Sequence, residues 1–319
     1  MVESDHGKSP NWIVTGADRR CCPTGAPAHG SDFRRDAVDH VPDLAPSRSE
    51  PCFLTDLRRS DEPVRTALFC HAAGFTGRVW RSAVKNLRTP LRAAALDLRG
   101  HGGAPPLPED AGWDVFADDV LAAARAVGPG PLIGVGHSLG GTSLLLAEAR
   151  APGTFDLLVC YEPILATHDD PAFAEAASRR RAEFPSRADA LARWSTRPPL
   201  SHLAPEVLAD YAESGLAEEP DGRVRLRCAP AVEARLFRTA ISCPWRAALP
   251  LVRCPTVFLR GGDSVVVTGE SLTAACAELP AGRVVEVPGL DHLGPLVRSA
   301  AFAEVLDGLL AEPGGVARS

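Results

Sequence analysis

The stretch PLIGVGHSLGG at residues 131–141 decides the fold. Its apolar first half predicts a buried β-strand over 131–135, and the run that follows, Thr142 to Arg150, predicts a helix. Between the two, the pattern G-x-S-x-G places Ser138 on the turn from strand to helix. In that context the pattern predicts a nucleophile elbow, a sharp turn that holds a serine hydroxyl clear of the sheet.

The two glycines of the pattern have a steric reason. Gly136 and Gly140 stand two residues before and after the serine, where side chains would collide with neighbouring backbone. The helix beyond Ser138 points its amino end at the site, and its free N–H groups favour the negative charge that develops in acyl transfer. The alternative interpretation is a glycine-rich turn with an incidental serine.

Composition limits the classes of partner. The chain has 319 residues, 45% of them hydrophobic, which suffices for one large core or a core plus a lid. A net charge of −6 gives no overall attraction to nucleic acid or to an anionic membrane, and no apolar run approaches the length of a membrane span. The amino terminus has no apolar signal run, and the nine cysteines include no C-x-x-C pair. We therefore expect a cytoplasmic protein that acts on a small molecule.

Strand-like and helical patterns alternate along most of the chain. Residues 1–50 show no periodicity and are predicted to be a flexible or irregular segment. Buried strands are predicted over 64–70, 92–96, 131–135, 155–161, 256–260 and 283–287. Helices are predicted over 113–127, 142–150 and 299–310. This alternation predicts an α/β fold with a parallel sheet covered by helices on both faces.

The middle of the chain breaks the alternation. We predict a helical cap insertion over 164–249, between core segments at 51–163 and 250–319. Its helical stretches are 171–184, 186–195, 204–218 and 230–240. Such an insertion would lie over the carboxyl ends of the strands, where α/β sheets place their sites.

Within this insertion the sequence offers few functional signals. We interpret the run Arg179-Arg180-Arg181 as mostly solvated, with one of the three as an alternative contact for a substrate carboxylate. Four large aromatic residues are interpreted as core, with pocket lining as the alternative: Trp194, Tyr211, Phe237 and Trp245.

A serine nucleophile needs a base and an orienting acid. His292, in a short polar loop after the last strand, is the predicted base. Asp263, in the turn after strand 256–260, is the favoured acid. Glu162 ends the strand after the elbow strand, also at an edge that faces the site, and is the alternative acid.

The oxyanion of the intermediate needs two preorganised N–H donors. One is predicted from Leu139, directly after the serine, and the other from Ala73, in the loop after strand 64–70. His71 is expected to brace that loop by hydrogen bonds without transferring a proton. Phe75, in the same loop, is assigned to the substrate pocket.

Five segments together resemble the α/β-hydrolase superfamily, in its serine-nucleophile branch with a helical cap. They are HAAGFTGRVW at 71–80, DLRGHGGA at 97–104, GHSLGG at 136–141, YEP at 161–163 and DHLGP at 291–295. The resemblance implies a mostly parallel eight-stranded sheet, a triad of Ser138, an acid and His292, and no metal or organic cofactor. The order Ser138, Asp263, His292 is the chain order of that family.

The chain departs from the family's pattern at the acid. The family's acid usually follows a glycine by three residues, and counting from Gly261 gives Ser264, one residue beyond Asp263. Either the loop is one residue shorter or the acid has moved, in which case Glu162 is the natural substitute.

The function predicted from these parts is hydrolysis of an ester, thioester or lactone of a small, largely apolar substrate through an acyl-enzyme. Carbon–carbon bond hydrolysis and acyl transfer use the same serine and remain alternatives. A non-catalytic ligand-binding protein on the same scaffold is another. A nucleotide-binding oxidoreductase is disfavoured, because Leu139 stands where the third glycine of a dinucleotide fingerprint opening at Gly134 and Gly136 would fall.

Overall fold

The computed structural model describes residues 53–59, 65–166 and 171–312. The irregular segment predicted over residues 1–50 lies outside these ranges.

The described chain contains ten strands and eleven α-helices. The strands are β1 (Phe53–Arg58), β2 (Thr66–Cys70), β3 (Arg92–Asp97), β4 (Leu132–His137), β5 (Leu157–Tyr161), β6 (Glu183–Phe184), β7 (Leu216–Glu218), β8 (Val224–Leu226), β9 (Thr256–Gly261) and β10 (Gly282–Val287). The helices are α1 (Arg81–Asn86), α2 (Asp114–Ala126), α3 (Leu139–Arg150), α4 (Pro171–Ser178), α5 (Arg187–Trp194), α6 (Pro205–Ser214), α7 (Pro230–Thr239), α8 (Trp245–Ala248), α9 (Gly269–Cys276), α10 (Gly294–Val297) and α11 (Ser299–Ala311). None of these helices is both long enough and apolar enough to cross a bilayer.

The main sheet has the strand order β1-β3-β2-β4-β5-β9-β10. Strand β1 is antiparallel to β3, and every other neighbouring pair is parallel. The described residues therefore supply seven strands where the resemblance implies eight, with β1 and β10 at the two edges. Because the inner strands are parallel, their carboxyl ends meet at one edge of the sheet, where α/β folds place their sites.

Both faces of the inner strands (β2 to β5 and β9) are buried, which explains why these strands are nearly continuous apolar runs. Along β2, Ala67 and Phe69 pack into one hydrophobic cluster, whereas Leu68 and Cys70 pack into the other, as the alternation of side chains along a strand requires. The first cluster is closed by α1 and α11 and the second by α2, α3 and α9. The predicted α/β architecture with helices on both faces is confirmed.

Between β5 and β9 lies a segment that we call the insertion (residues 171–251). It holds α4 to α8 and a small sheet with the order β6-β8-β7. The prediction of helix alone was wrong here, because the stretches predicted as helix over 171–184 and 204–218 end at Ser178 and Ser214. The residues that follow form β6 and β7, whose Phe184 and Leu216 are buried.

Candidate active site

Ser138 occupies the turn between β4 and α3. Its φ of 52° lies in the left-handed region that residues with a side chain rarely adopt, and its ψ is −115°. A Cβ on Gly136 would lie 2.6 Å from the Gly140 carbonyl carbon, and a Cβ on Gly140 would overlap the carbonyl oxygen of Cys70. The two glycines therefore let α3 pass close over the sheet, and the turn holds the serine at the carboxyl edge beside the end of β2.

Leu139 is the first residue of α3, directly after the serine. The first N–H groups of a helix have no partner within the helix, and the helix dipole makes this end favourable for negative charge. The N–H of Leu139, next to Ser138 in the chain, is one of these groups.

Glu162 follows β5 directly and lies at the centre of the site's hydrogen bonds. Its φ is 41°, and its side chain is fully buried. Oε1 accepts a hydrogen bond from the Gly261 N–H at 2.9 Å. Oε2 accepts one from the Ser264 hydroxyl at 2.8 Å and one from His292 Nδ1 at 2.7 Å. The carboxylate is thus surrounded by donors, one of which is the imidazole predicted to be the base.

His292 is held beside the elbow by its own loop and by its neighbours. The Tyr161 hydroxyl donates to the carbonyl of Asp291, at 2.5 Å, and so fixes the residue before it. The His292 ring lies 5.0 Å from the ring of His137, which directly precedes Ser138. Since Glu162 occupies Nδ1, Nε2 is the ring nitrogen that remains for a further hydrogen bond.

His137 packs against other rings at the site. It is buried, and its ring lies against the rings of Trp80 and Tyr161 as well as that of His292. Burial, and then the neighbouring His292, lower the pKa of His137 well below its usual range. His137 therefore stays neutral and supports the ring beside it.

The structure does not bring Asp263, the favoured acid, to His292. Asp263 is exposed, and its backbone N–H donates to the carbonyl of Leu290 at 2.9 Å. Ser264, one residue further on, points inward instead, and its hydroxyl also accepts from the Val266 N–H at 3.2 Å. The assignment of Asp263 is corrected for this reason: the inward position of this turn belongs to the next residue, and the carboxylate at His292 is that of Glu162.

The loop after β2 contains a tight turn over residues 72–75. The Phe75 N–H donates to the Ala72 carbonyl at 3.2 Å, and Gly74, the third residue of the turn, has a φ of 80°. These are the features of a type II turn, which needs a positive φ at that position and so favours glycine. The Gly74 N–H donates to His101 Nε2 at 3.0 Å. Ala73, the predicted donor, is the second residue of this turn.

Two buried histidines fix the loop from the core side. His71 Nδ1 lies 2.8 Å from the Ala72 carbonyl, and its Nε2 accepts from the Leu98 N–H at 3.0 Å. Because a carbonyl can only accept, Nδ1 carries the proton. The peptide N–H points opposite to its carbonyl, so fixing the Ala72 oxygen also fixes the direction of the Ala73 N–H. His71 thus braces the loop as expected.

Both histidines are kept neutral by burial. Burial lowers the pKa of His71 to about 4. Burial, and then the adjacent His71, lower the pKa of His101 to about 3. Their rings lie 4.9 Å apart. A neutral ring presents one nitrogen as an acceptor, which is what the Leu98 and Gly74 amides need.

Phe75, assigned to the substrate pocket, is buried with its ring 5.1 Å from that of Tyr211. The predictions gave no role in the site to Ser264 or His101. Ser264 had a signal, since it stands at the family spacing from Gly261. His101 lies inside a segment that carries the resemblance. Tyr211, interpreted as a core residue with pocket lining as the alternative, is buried. Its contacts with the turn had no signal in the sequence, because its neighbours in space come from distant parts of the chain.

Comparisons with known proteins agree with this fold. A family model described as "Alpha/beta hydrolase family" matches residues 67–305. The chain is 28% identical over 248 residues to 2-(acetamidomethylene)succinate hydrolase of Mesorhizobium japonicum, covering 75% of this chain and 87% of the relative. It is 24% identical over 262 residues to sn-1-specific diacylglycerol lipase ABHD11 of Mus musculus, covering 80% and 84%.

Among solved structures, the peroxisomal alpha-beta-hydrolase Lpx1 from Saccharomyces cerevisiae aligns with a TM-score of 0.71 at 18% identity, covering 82% of this chain and 80% of that one. At this identity the likeness shows the fold. Since the family model spans well over half of the sequence, the chain belongs to the Alpha/beta hydrolase family.

Proposed function

We propose that the chain is a serine hydrolase that cleaves an ester, thioester or lactone bond of a small, largely apolar substrate. The observation that carries the proposal is the 2.7 Å hydrogen bond between Glu162 and His292 beside a serine on a strained turn. The names of the matched relatives, a hydrolase and a lipase, support hydrolytic chemistry.

In the first half of the reaction, Ser138 Oγ attacks the substrate's carbonyl carbon. Its proton passes to His292 Nε2, and Glu162 keeps the imidazole in the correct tautomer and stabilises the imidazolium that forms. The oxyanion of the tetrahedral intermediate accepts hydrogen bonds from the N–H groups of Ala73 and Leu139. The intermediate then expels an alkoxide or thiolate, which takes the proton from His292.

The second half repeats these steps with water. His292 removes a proton from a water molecule, the hydroxide attacks the acyl-enzyme, and the Ser138 Oγ–carbon bond breaks as the serine regains a proton. The products are a carboxylic acid and an alcohol or thiol, so no co-reactant besides water is needed. The same protein groups can open a lactone, in which case the leaving alkoxide remains part of the acyl group bound to Ser138.

The surroundings of the turn at 72–75 support an apolar substrate. The ring of Phe75 and that of Tyr211 lie together there. The guanidinium of Arg180, which lies beside Gly74, forms an ion pair with Glu233 and so offers little net charge to an anionic substrate. The six described cysteines are buried and unpaired, which supports the reducing, cytoplasmic setting.

A fluorophosphonate probe and a panel of p-nitrophenyl esters, lactones and thioesters test the proposal. We expect the wild-type protein to be labelled and Ser138→Ala to lose labelling, with kcat lower by about 10⁴-fold or more. Ser143→Ala is the matched control, since Ser143 is also buried in α3 and donates only to the Leu139 carbonyl. Failure of the probe to label wild type, with no turnover across the panel, would favour a ligand-binding protein instead.

A further inference from the structure

Three polar side chains of the insertion form a group that we call the insertion cluster: Tyr211 and Glu233, which are buried, and Arg180, which is partly buried. Arg180 Nη1 forms an ion pair with the Glu233 carboxylate, and Arg180 Nη2 donates to the Tyr211 hydroxyl at 2.8 Å. Tyr211 itself is 1% exposed. Partial removal of these charges from water offsets much of their attraction, so the pair adds little net stability and its position beside the turn needs another explanation.

The insertion cluster packs against the turn at residues 72–75, which contains Ala73. The Tyr211 hydroxyl donates to the Gly74 carbonyl at 2.9 Å. A Cβ on Gly74 would lie 2.6 Å from Glu233 Oε1 and 2.9 Å from Arg180 Nη1, so the contact leaves no space for a side chain. Arg180 follows α4, Tyr211 lies on α6 and Glu233 on α7, so three elements of the insertion meet at this glycine.

Gly74 is thereby held on both of its peptide groups. The core holds its N–H through His101 Nε2, and the insertion holds its carbonyl through Tyr211. Glycine has more backbone conformations open to it than any other residue. Without these two hydrogen bonds, Gly74 would therefore be the position of the loop with the greatest conformational freedom. Movement at Gly74 would be felt directly at Ala73, the residue before it.

We propose that Tyr211, oriented by Arg180, is a positioning residue that sets the Ala73 N–H for the oxyanion. This inference rests on the proposed function, because the direction of that N–H matters only if an oxyanion forms. Tyr211 acts through the backbone and need not touch the substrate. The insertion then contributes to the rate of the chemical step.

The substitution Tyr211→Phe isolates the hydroxyl. It keeps the ring, which packs 5.1 Å from Phe75 and 5.0 Å from Trp194. We expect kcat on the best p-nitrophenyl ester to fall about tenfold with KM changed by less than about twofold, because the lost bond weakens an interaction made in the transition state. The affinity for a boronic acid that forms a tetrahedral adduct with Ser138 should fall by the same factor, while the affinity for the product acid should not.

A second variant tests the role of Arg180. The double substitution Arg180→Met with Glu233→Gln removes the ion pair without leaving a buried charge alone. It should reproduce the loss in kcat and in boronic acid affinity, because Tyr211 then loses the donor that orients its hydroxyl.

Ser214→Ala is the matched control. It removes the 2.6 Å hydrogen bond between Ser214 and Thr76, which also joins the insertion to this loop, but beyond the turn. We expect its kcat and boronic acid affinity to stay within about twofold of wild type. Equal losses in Ser214→Ala and Tyr211→Phe, or unchanged boronic acid affinity in Tyr211→Phe, would overturn the inference while leaving the proposed function intact. A wild type that neither reacts nor binds the boronic acid would overturn both.

Discussion

Histidines lie on both sides of Ser138, but they have different partners on each side. On the acid side, at the ends of β5, β9 and β10, His292 faces the buried carboxylate of Glu162. On the oxyanion side, at the ends of β2 and β3, His71 and His101 face backbone amides. In the proposed mechanism the first histidine must gain a proton and lose it again, whereas the other two must never carry an extra one.

The difference teaches that the partner decides a histidine's role. A carboxylate at Nδ1 stabilises the imidazolium and leaves Nε2 free to exchange a proton with the serine. An amide N–H at Nε2 needs a neutral acceptor, and burial keeps the pKa of His71 and His101 low enough to supply one. The roles of His71, His101 and His292 can therefore be assigned from the groups that their ring nitrogens contact.

The largest expected effect comes from breaking the acid side. Glu162→Gln keeps an acceptor for the Gly261 N–H but removes the charge that stabilises the His292 imidazolium, and it disturbs the tautomer. We expect kcat to fall by about 10³- to 10⁴-fold with the fold retained. Steady-state kinetics on the best p-nitrophenyl ester, with circular dichroism to check folding, measure this.

Asp263→Asn provides the matched control for that experiment. Because Asp263 is exposed and its carboxylate makes no hydrogen bond to His292, kcat should stay within about twofold of wild type. A large loss in Asp263→Asn alongside a mild one in Glu162→Gln would reverse the assignment of the acid.

A smaller effect, a gain in kcat instead of a loss, is expected when the carboxylate is moved from position 162 to position 264. Ser264 stands at the family's acid position, in the turn after β9, which is the neighbour of β5 in the sheet. Its hydroxyl oxygen lies 2.8 Å from Glu162 Oε2. In Glu162→Ala the space beside His292 Nδ1 is open, and adding Ser264→Asp supplies a new carboxylate there. We expect the double variant to regain about tenfold in kcat over Glu162→Ala alone. Ser264→Asn in the same background has the same shape without the charge, and an equal recovery there would show that the new charge is not the cause.

Much of the scaffold could be predicted because its signals are local. The apolar runs that became β2, β4 and β9 are bounded by turns, and the serine pattern lies between a strand and a helix, so short-range rules suffice. The strands β6 and β7 were missed because they are two and three residues long and continue helical patterns. A tertiary partner, not local propensity, makes them strands.

The acid could not be chosen from the sequence because the choice is set by the register of neighbouring strands. β5 and β9 are adjacent, so the residues that follow each of them lie close together at one edge of the sheet. Which one points inward depends on the turn after β9, where Ser264 rather than Asp263 faces the core. The spacing from Gly261 marked Ser264 as the inward position, but the sequence alone gave no reason to trust that spacing over the presence of a carboxylate.

The smallest expected effect is on stability, and it tests the oxyanion side through the pH dependence of the free energy of unfolding. The pKa of His101 is about 3 in the folded protein, well below the ordinary value of about 6.5 for an unfolded chain. Between these values the unfolded state binds the proton and the folded state does not, so the free energy of unfolding falls as the pH is lowered. The same sign holds for His71, with a pKa of about 4, and for His137.

We therefore expect the melting temperature of wild type to fall as the pH drops from 7 toward 4.5, and His101→Gln to show a shallower fall by about 2–4 °C per pH unit. Glutamine can accept from the Gly74 N–H through its amide oxygen but does not titrate. Asp119, whose pKa is raised by burial, contributes with the opposite sign, but it is present in both proteins and cancels in the difference between the two curves. Parallel curves would mean that His101 does not remain neutral on folding, and the contrast between the two sides of the serine would then lose its electrostatic basis.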